Sequence, residues 1–218
     1  MPIMENKIKT KDKILLEAIT LYNEQGIQNV TSRHIASRMG ISHGNLDYHY
    51  KTKEDIILAI YCKMRNEMSE SYVTRDPEIS AIGHFHLLIQ QLEEFQYKYR
   101  FFNLDVLEVT RSFPNVSKII QETFIKRKET TIQLFQEFIS SGFLKEMEPA
   151  ELQRLEHIIR MIITFWLSQR EVMTSYNFSE MGSMVKSIWT ILNPYLTESG
   201  KAEYQKAINN HGVTTISN

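Results

Sequence analysis

Residues 31–55 read TSRHIASRMGISHGNLDYHYKTKED, and this stretch decides how the N-terminal part of the chain folds. Thr31 or Ser32 can cap a first short helix, and Gly40 can take the left-handed conformation that ends it. Ser42 can cap a second short helix directly after the turn. The stretch therefore predicts two short helices joined by a tight turn, which are too small to bury a core on their own.

The second helix is unusually polar for a structural element. It begins at His43, and only Leu46 and Tyr50 offer an apolar side to a core. Most of its other side chains are small or carry amide, imidazole and phenol groups, which can form hydrogen bonds with another molecule. Two short helices with a glycine-containing turn are the arrangement that places a recognition helix in the major groove of DNA. We therefore interpret the second helix as a recognition helix.

The surrounding run ASRMGISHGNLDYHYKTKEDIILAIY, residues 36–61, resembles the DNA-binding signature of the TetR family of bacterial regulators. In that signature the recognition helix is followed by a Tyr-His-aromatic element and by a Lys that opens the next helix. The matching residues are Met39-Gly40-Ile41-Ser42, Gly44, Leu46, Tyr48-His49-Tyr50, Lys53 and Glu54.

Two positions depart from the family pattern. The family often carries Lys or Arg at the position of His43 and an aromatic residue at the position of Asp47. Since a carboxylate is repelled by phosphates, Asp47 must accept from a cytosine amino group, cap a neighbouring donor or point away from the DNA. These departures put the operator sequence in doubt and leave the docking mode unchanged.

The resemblance implies an all-α fold, with an N-terminal three-helix helix-turn-helix DNA-binding domain and a larger helical domain for ligand binding and dimerisation. We expect the DNA-binding domain at 1–52, a connecting helix at 53–72 and the effector-binding and dimerisation domain at 73–198. Residues 199–218 are expected to form a polar C-terminal tail, with a possible short helix from Lys201 to Asn209.

The expected partner of the N-terminal domain is a double-stranded DNA operator. Asn45 can read adenine through its paired amide groups, and Gly44 lets the backbone approach the bases. Lys53 is expected to bind a phosphate at the start of its helix, and the less favoured alternative is that Thr52 and Lys53 only begin the helix. The predicted DNA-binding residues are Thr31, Arg33, Ser42, His43, Gly44, Asn45, Tyr48, His49 and Lys53.

The composition of the chain restricts the classes of protein to which it can belong. The chain has 218 residues, 42% of them hydrophobic, and a net charge of -1, so any contact with nucleic acid must come from local charge. Cys62 is the single cysteine, which excludes an internal disulfide and fits a reducing compartment. The apolar run from Ile158 to Leu167 is too short to span a bilayer, and the N-terminus has no secretory pattern. We therefore expect a cytoplasmic protein with no membrane partner.

The sequence contains no glycine-rich phosphate loop, nucleophile elbow or metal-binding His-Glu spacing. It therefore predicts no catalytic residue, no cofactor and no metal site, and the chain is not expected to be an enzyme. One alternative is a helix-turn-helix protein that acts through a protein partner or without a ligand. An enzyme or carrier built on the same helices is a third class, which the missing motifs disfavour.

Two C-terminal segments, around residues 158–165 and 184–192, carry strong apolar stripes. A domain of this size does not easily bury both, so we expect them to pair with their copies in a homodimer through a four-helix interface. The alternative is that both helices close the core of their own subunit. The predicted interface residues are Ile158, Met161, Phe165, Met184, Val185, Ile188, Trp189 and Leu192.

The resemblance further implies a repressor that a small, largely apolar effector releases from a palindromic operator. Large apolar side chains could line a pocket for such a compound, with His86, Tyr99 or Arg160 as polar anchors. Packing in an ordinary core is the alternative for each of them. The apolar candidates are Phe85, Phe95, Phe102, Phe124 and Trp166.

Overall fold

The structure is a computed structural model that describes residues 9–73, 78–172 and 180–211, and the side chains of 70–73 and 211 lie outside it. Its described residues form helices and turns with no strand among them, which confirms the predicted all-α class. The helices are α1 (Thr10–Gln25), α2 (Ser32–Arg38), α3 (His43–His49), α4 (Lys53–Val73), α5 (Ala81–Lys98), α6 (Arg100–Leu104), α7 (Val106–Ser112), α8 (Pro114–Ser140), α9 (Pro149–Val172), α10 (Ser183–Leu192) and α11 (Glu198–His211), with a 3-10 turn at Asn193–Tyr195.

The chain divides into two compact units. The first comprises Met1–Glu67 with Asp105–Ile119, and the second comprises Met68–Leu104 with Ile120–Asn218. The first unit thus extends past the expected boundary at residue 52 and includes a segment that the sequence analysis assigned to the larger domain. One contact that ties this segment to the first unit is a hydrogen bond from the Ile27 backbone N–H to Asp105 Oδ2, at 2.9 Å.

The core of the first unit holds the recognition helix in place. Apolar side chains of α1, α2 and α4 are buried together with one residue of α3. The short helices gain their stability from this packing, because isolated helices of this length are only marginal in water. The buried residues include Ile14, Leu15, Ala18, Tyr22, Ile35, Ala36, Leu46, Ile56, Ile57 and Ile60.

The core of the second unit is built around a cluster of aromatic rings. Phe85 on α5 makes edge-to-face contacts with Phe135, Phe138 and Trp189, with ring centroids 5.9, 5.8 and 5.5 Å away. The buried carboxylate of Glu93 accepts hydrogen bonds from the backbone N–H groups of Gly182 at 2.8 Å and Val185 at 3.3 Å. This side chain therefore caps α10 from a neighbouring helix.

The C-terminal segment contains the helix that the sequence suggested, with longer bounds. Over its described part, the expected polar tail 199–218 forms α11, which is longer than the short helix that we considered. Ala207 is buried, and the ring of Tyr204 stacks on Trp189 at a centroid distance of 4.2 Å. A Cβ on Gly200 would lie 2.1 Å from the carbonyl oxygen of Phe143, so the helix packs closely at this point. The sequence of this segment is mostly polar because only one side of α11 is buried.

Candidate nucleic-acid interface

The two short helices of the first unit are defined by local hydrogen bonds. Thr31 Oγ1 accepts from the backbone N–H of His34 at 3.3 Å, and His34 Nδ1 accepts from the backbone N–H of Thr31 at 3.4 Å. Gly40 takes a left-handed φ of 66°, and Ser42 Oγ accepts from the backbone N–H of Asn45 at 3.2 Å. The structure thus confirms the predicted caps and the glycine turn.

Only one side of α3 is anchored to the unit. Leu46 and the following Tyr50 are buried, as the sequence predicted. Burial raises the pKa of the Tyr50 phenol to about 12, and the nearby Asp12 carboxylate acts in the same direction. Lys11 Nζ lies 5.3 Å from the centroid of the Tyr50 ring. The opposite side of α3 therefore remains available for another molecule.

Most of the residues that the sequence assigned to DNA are exposed, and they lie on α3 or at the start of α2. Tyr48 is 85% exposed, which is a large aromatic surface to leave in water. Its ring stands edge-on to the half-buried His49, with centroids 5.3 Å apart. The other exposed residues predicted to contact DNA are Thr31, Arg33, Ser42, His43, Gly44 and Asn45. The helix therefore offers a mixture of amide, hydroxyl and imidazole groups to a partner.

Asp47 forms an ion pair or hydrogen bond within α3. Its Oδ2 lies 3.1 Å from Nδ1 of His43, one helical turn away, and the two side chains are 40% and 44% exposed. Of the three roles that the sequence left open for Asp47, the structure shows an interaction with a neighbouring donor. The spacing of four residues on a helix was a signal in the sequence that could have identified this pair.

The side chain of Lys53 has a partner within the first unit, and its predicted phosphate contact stays a prediction. Its Nζ donates a hydrogen bond to the Ile27 carbonyl oxygen and lies 5.9 Å from the centroid of the Tyr22 ring. Burial lowers the pKa of Lys53, while the carboxylates of Glu108 and Asp105 act in the opposite direction. The ammonium group of Lys53 is thus bound within the first unit by the Ile27 carbonyl oxygen.

The start of α4 nevertheless has the predicted capping geometry. The backbone N–H of Thr52 donates to Asp55 Oδ2 at 2.9 Å, and the backbone N–H of Asp55 donates to Thr52 Oγ1 at 3.1 Å. Lys51, directly before this cap, is exposed. The sequence analysis did not select Lys51 as a DNA contact.

Three of the predicted effector residues lie in buried contacts of the second unit. Phe85 lies in the aromatic core, where His86 is fully buried and accepts from Trp189 Nε1 at 3.0 Å. Trp166 is also buried and donates its Nε1–H to Gln96 Oε1 at 2.6 Å. For Phe85, His86 and Trp166 the structure therefore favours packed core over pocket wall.

The remaining effector candidates lie in other contacts. Tyr99 is buried beside the half-buried Phe95, with ring centroids 4.8 Å apart, and Phe102 is buried against its neighbour Phe101. Phe124 is half-buried, and Arg160 forms an ion pair with the buried Glu156. Their role in effector binding stays a prediction.

The α10 residues of the predicted dimer interface are buried within their own subunit, and their part in a dimer stays a prediction. They belong to the core of the second unit, because α10 packs against α5 and α9. For this helix the burial favours the alternative that it closes the core of its own subunit. The five residues are Met184, Val185, Ile188, Trp189 and Leu192.

The α9 part of the predicted interface is on the surface of the second unit. Met161 is 45% exposed, Phe165 is 50% exposed and Ile158 is half-buried. Val172, which the sequence analysis did not select, is 82% exposed and continues the same stripe at a spacing of seven residues. We call these four residues the α9 apolar face.

None of the helices in the described ranges is both long and apolar enough to cross a membrane. Within the same ranges, no group of three or more His, Cys, Asp and Glu side chains could hold a metal ion.

Comparison with known proteins gives two family matches. A model described as bacterial regulatory proteins of the tetR family matches residues 14–60, and one described as a bacterial transcriptional repressor, TetR, matches residues 63–204. A relative from Bacillus subtilis (strain 168), the probable HTH-type transcriptional regulator YttP, is 23% identical over 168 residues, which are 77% of this chain and 70% of that protein.

Solved structures show the same fold. A TetR-family transcriptional regulator from Marinobacter aquaeolei VT8 has a TM-score of 0.82 at 23% identity, over 93% of this chain and 98% of that chain. A putative transcriptional regulator from Saccharomonospora viridis in complex with choline has a TM-score of 0.67 at 18% identity, over 86% of this chain and 97% of that chain.

Proposed function

The chain belongs to the TetR family of bacterial transcriptional regulators, and we propose that it is a homodimeric repressor that a small, largely apolar effector releases from a palindromic operator. As a member of this family it is a DNA-binding regulator and not an enzyme. We propose that it acts in the cytoplasm, where the operator DNA is found.

The observation that carries this proposal is the open side of α3. A helix of seven residues is held by the Ser42 cap and by two buried side chains, while Tyr48 is 85% exposed. Exposed Asn45 carries the paired donor and acceptor that can recognise adenine in the major groove. Tyr48 and Arg33 are suited to phosphates, which fix the register of the protein on DNA without reading its sequence.

A dimer follows from the reading capacity of one short helix. A single copy of α3 can contact only a few base pairs, which is too little information to find one site in a genome. Two copies related by twofold symmetry read a palindrome when their recognition helices are separated by one helical turn of DNA, about 34 Å, or a multiple of it. The α9 apolar face supports pairing, since it leaves Met161, Phe165 and Val172 exposed on one helix.

The effector part of the proposal is supported by family architecture and by thermodynamic linkage. The relative from Saccharomonospora viridis was solved with choline, so a helical protein of this fold can hold a small molecule. An effector that favours a dimer with the wrong separation of recognition helices lowers the affinity for DNA, and DNA lowers the affinity for that effector by the same factor. Half-buried Phe95 and Phe124 are the apolar candidates with surface left to contact it.

The first experiment measures binding of the full chain to random-sequence duplex DNA by fluorescence anisotropy across a salt series. We expect affinity to fall steeply with salt, because each phosphate contact contributes about 0.9 to the logarithmic slope. Tyr48→Ala should weaken binding to all sequences, whereas Asn45→Ala should change which sequence is preferred. Leu107→Ala, at an exposed apolar residue of the same unit, is the control and should bind as the wild type does.

Two results would refute the proposal. Binding that does not change with salt would exclude a phosphate-dominated contact. Equal losses on every sequence for Asn45→Ala would remove its role in reading bases.

A further inference from the structure

Asp47 is an exposed carboxylate on the side of α3 that enters DNA in the proposed function. A negative charge beside phosphates lowers the affinity for every sequence. Its Oδ2 lies 3.1 Å from Nδ1 of His43, so the two residues form one polar pair on the recognition helix. We therefore ask what the pair of His43 and Asp47 contributes that offsets the repulsion between the Asp47 carboxylate and the phosphates.

Stability of α3 is a poor explanation for the pair. Exposed ion pairs contribute little, and the favourable order on a helix places the acid before the base. Here the order is reversed, with His43 in the first turn of α3 and Asp47 near its end, and both positions oppose the helix dipole. Ser42 already caps this helix through the backbone N–H of Asn45.

The chemistry of the pair determines which imidazole nitrogen is offered to DNA. An ionised carboxylate can only accept hydrogen bonds, so Nδ1 of His43 carries a proton in both the neutral and the protonated ring. The second nitrogen, Nε2, lies on the other side of the ring from Asp47. It accepts a hydrogen bond when the ring is neutral and donates one when the ring is protonated, and in both states it is the nitrogen left for a partner.

We propose that Asp47 is a positioning residue for sequence recognition, which holds the His43 ring so that Nε2 meets one base edge in the major groove. The proposal rests on the proposed function as a DNA-binding regulator. In this arrangement the Asp47 charge lowers the affinity of the recognition helix for every DNA sequence, and the oriented His43 ring raises its selectivity for one base pair in each half-site. His43 touches the base, and Asp47 acts through His43.

The test uses the full chain and a library of duplexes with a randomised central segment. Preferred sites are selected with the wild type, and dissociation constants are then measured on the best site, on single-base variants of it and on random DNA. Asp47→Ala removes both the charge and the acceptor, whereas Asp47→Asn removes the charge but keeps an oxygen that can accept from Nδ1–H. Asp12→Asn removes the same charge from α1 and is the matched control.

Affinity and selectivity are expected to change in opposite directions. Asp47→Ala and Asp47→Asn should both bind random DNA about twofold to fivefold more tightly, since one charge per subunit no longer repels phosphates. Asp47→Ala should also lose about fivefold discrimination at one base pair of each half-site, as for one unmade hydrogen bond to a base. Asp47→Asn should keep most of that discrimination. His43→Ala should lose it, and adding Asp47→Ala to His43→Ala should cause no further loss.

One result overturns the proposal and leaves the proposed function intact: Asp47→Ala binds every sequence more tightly and keeps the preferences of the wild type. Asp47 would then act by repulsion alone. If the wild type itself showed no salt-dependent binding to DNA, both the proposed function and this role for Asp47 would fail. Circular dichroism of each variant separates these outcomes from loss of the fold.

Discussion

Met161→Lys tests whether the α9 apolar face joins two subunits. Met161 is 45% exposed, and a Lys side chain has a similar length, so its methylene groups can keep the packing that Met161 makes within the subunit. The substitution therefore changes the surface of the helix more than its core. In a symmetric interface the change occurs twice, once in each copy.

The expected loss of dimerisation free energy follows from the exposed fraction of the Met161 side chain. Full burial of a Met side chain contributes about 2 kcal/mol, so covering its exposed part contributes about 1 kcal/mol per copy and about 2 kcal/mol for the pair. Two unpaired ammonium groups in an apolar interface add a desolvation penalty of at least about 2 kcal/mol in total. The dissociation constant of the dimer should therefore rise by about 1,000-fold or more.

Sedimentation equilibrium over a range of protein concentrations measures this change directly. Ile125→Lys is the matched control, because Ile125 is 62% exposed on α8, outside the α9 apolar face. The control should remain dimeric, and urea unfolding of both variants shows whether the subunit fold is kept. The reasoning is refuted if Met161→Lys dimerises as tightly as the wild type, or if the wild type is monomeric throughout.

Three further predictions concern the second unit. Ile188→Ala should lower the free energy of unfolding by about 2–5 kcal/mol in urea titration, since this side chain is fully buried in its own subunit; a loss confined to dimer affinity would contradict that placement. Burial raises the pKa of Glu93, although the backbone N–H groups of Val185, Gly182 and Met184 and the Arg170 charge oppose this effect. The stability that its protonated form contributes is present below the ordinary pKa and is lost as the pH rises through the folded-state pKa. Relative to Glu93→Gln, the wild type should therefore lose unfolding free energy as the pH is raised towards neutrality, and a gain would show the wrong sign. Gly200→Ala should lower the melting temperature in a thermal scan through a loss of about 1–3 kcal/mol, because its Cβ would meet the Phe143 carbonyl oxygen; an unchanged melting temperature would show that this contact relaxes freely.

The recognition helix and its turn could be predicted because their causes are local. The caps at Thr31 and Ser42 each involve a backbone N–H three residues away, and the left-handed turn depends on Gly40 itself. The polar side of α3 follows from the scarcity of apolar residues in one short segment. The pair of His43 and Asp47 belongs to the same class, since four residues make one turn of a helix.

The sequence did not predict which part of the molecule would cover each buried side chain. The stripe on α10 predicted burial correctly, but it did not say whether α5 and α9 or a second subunit would cover Ile188 and its neighbours. Lys53 likewise donates to Ile27, which is 26 residues away, and Asp105 accepts from the same residue across 78 positions. No periodic pattern encodes such pairs.

The sequence by itself thus determined the helices, their caps and the polar surface of α3, because these features depend on residues within one or two helical turns. Only the tertiary structure decided that α10 belongs to the subunit core, that the Lys53 ammonium is bound inside the first unit and that α9 keeps an apolar face exposed. The physical reason is that hydrophobic burial has no preferred direction, so an apolar stripe specifies that it will be covered and the three-dimensional packing specifies by what.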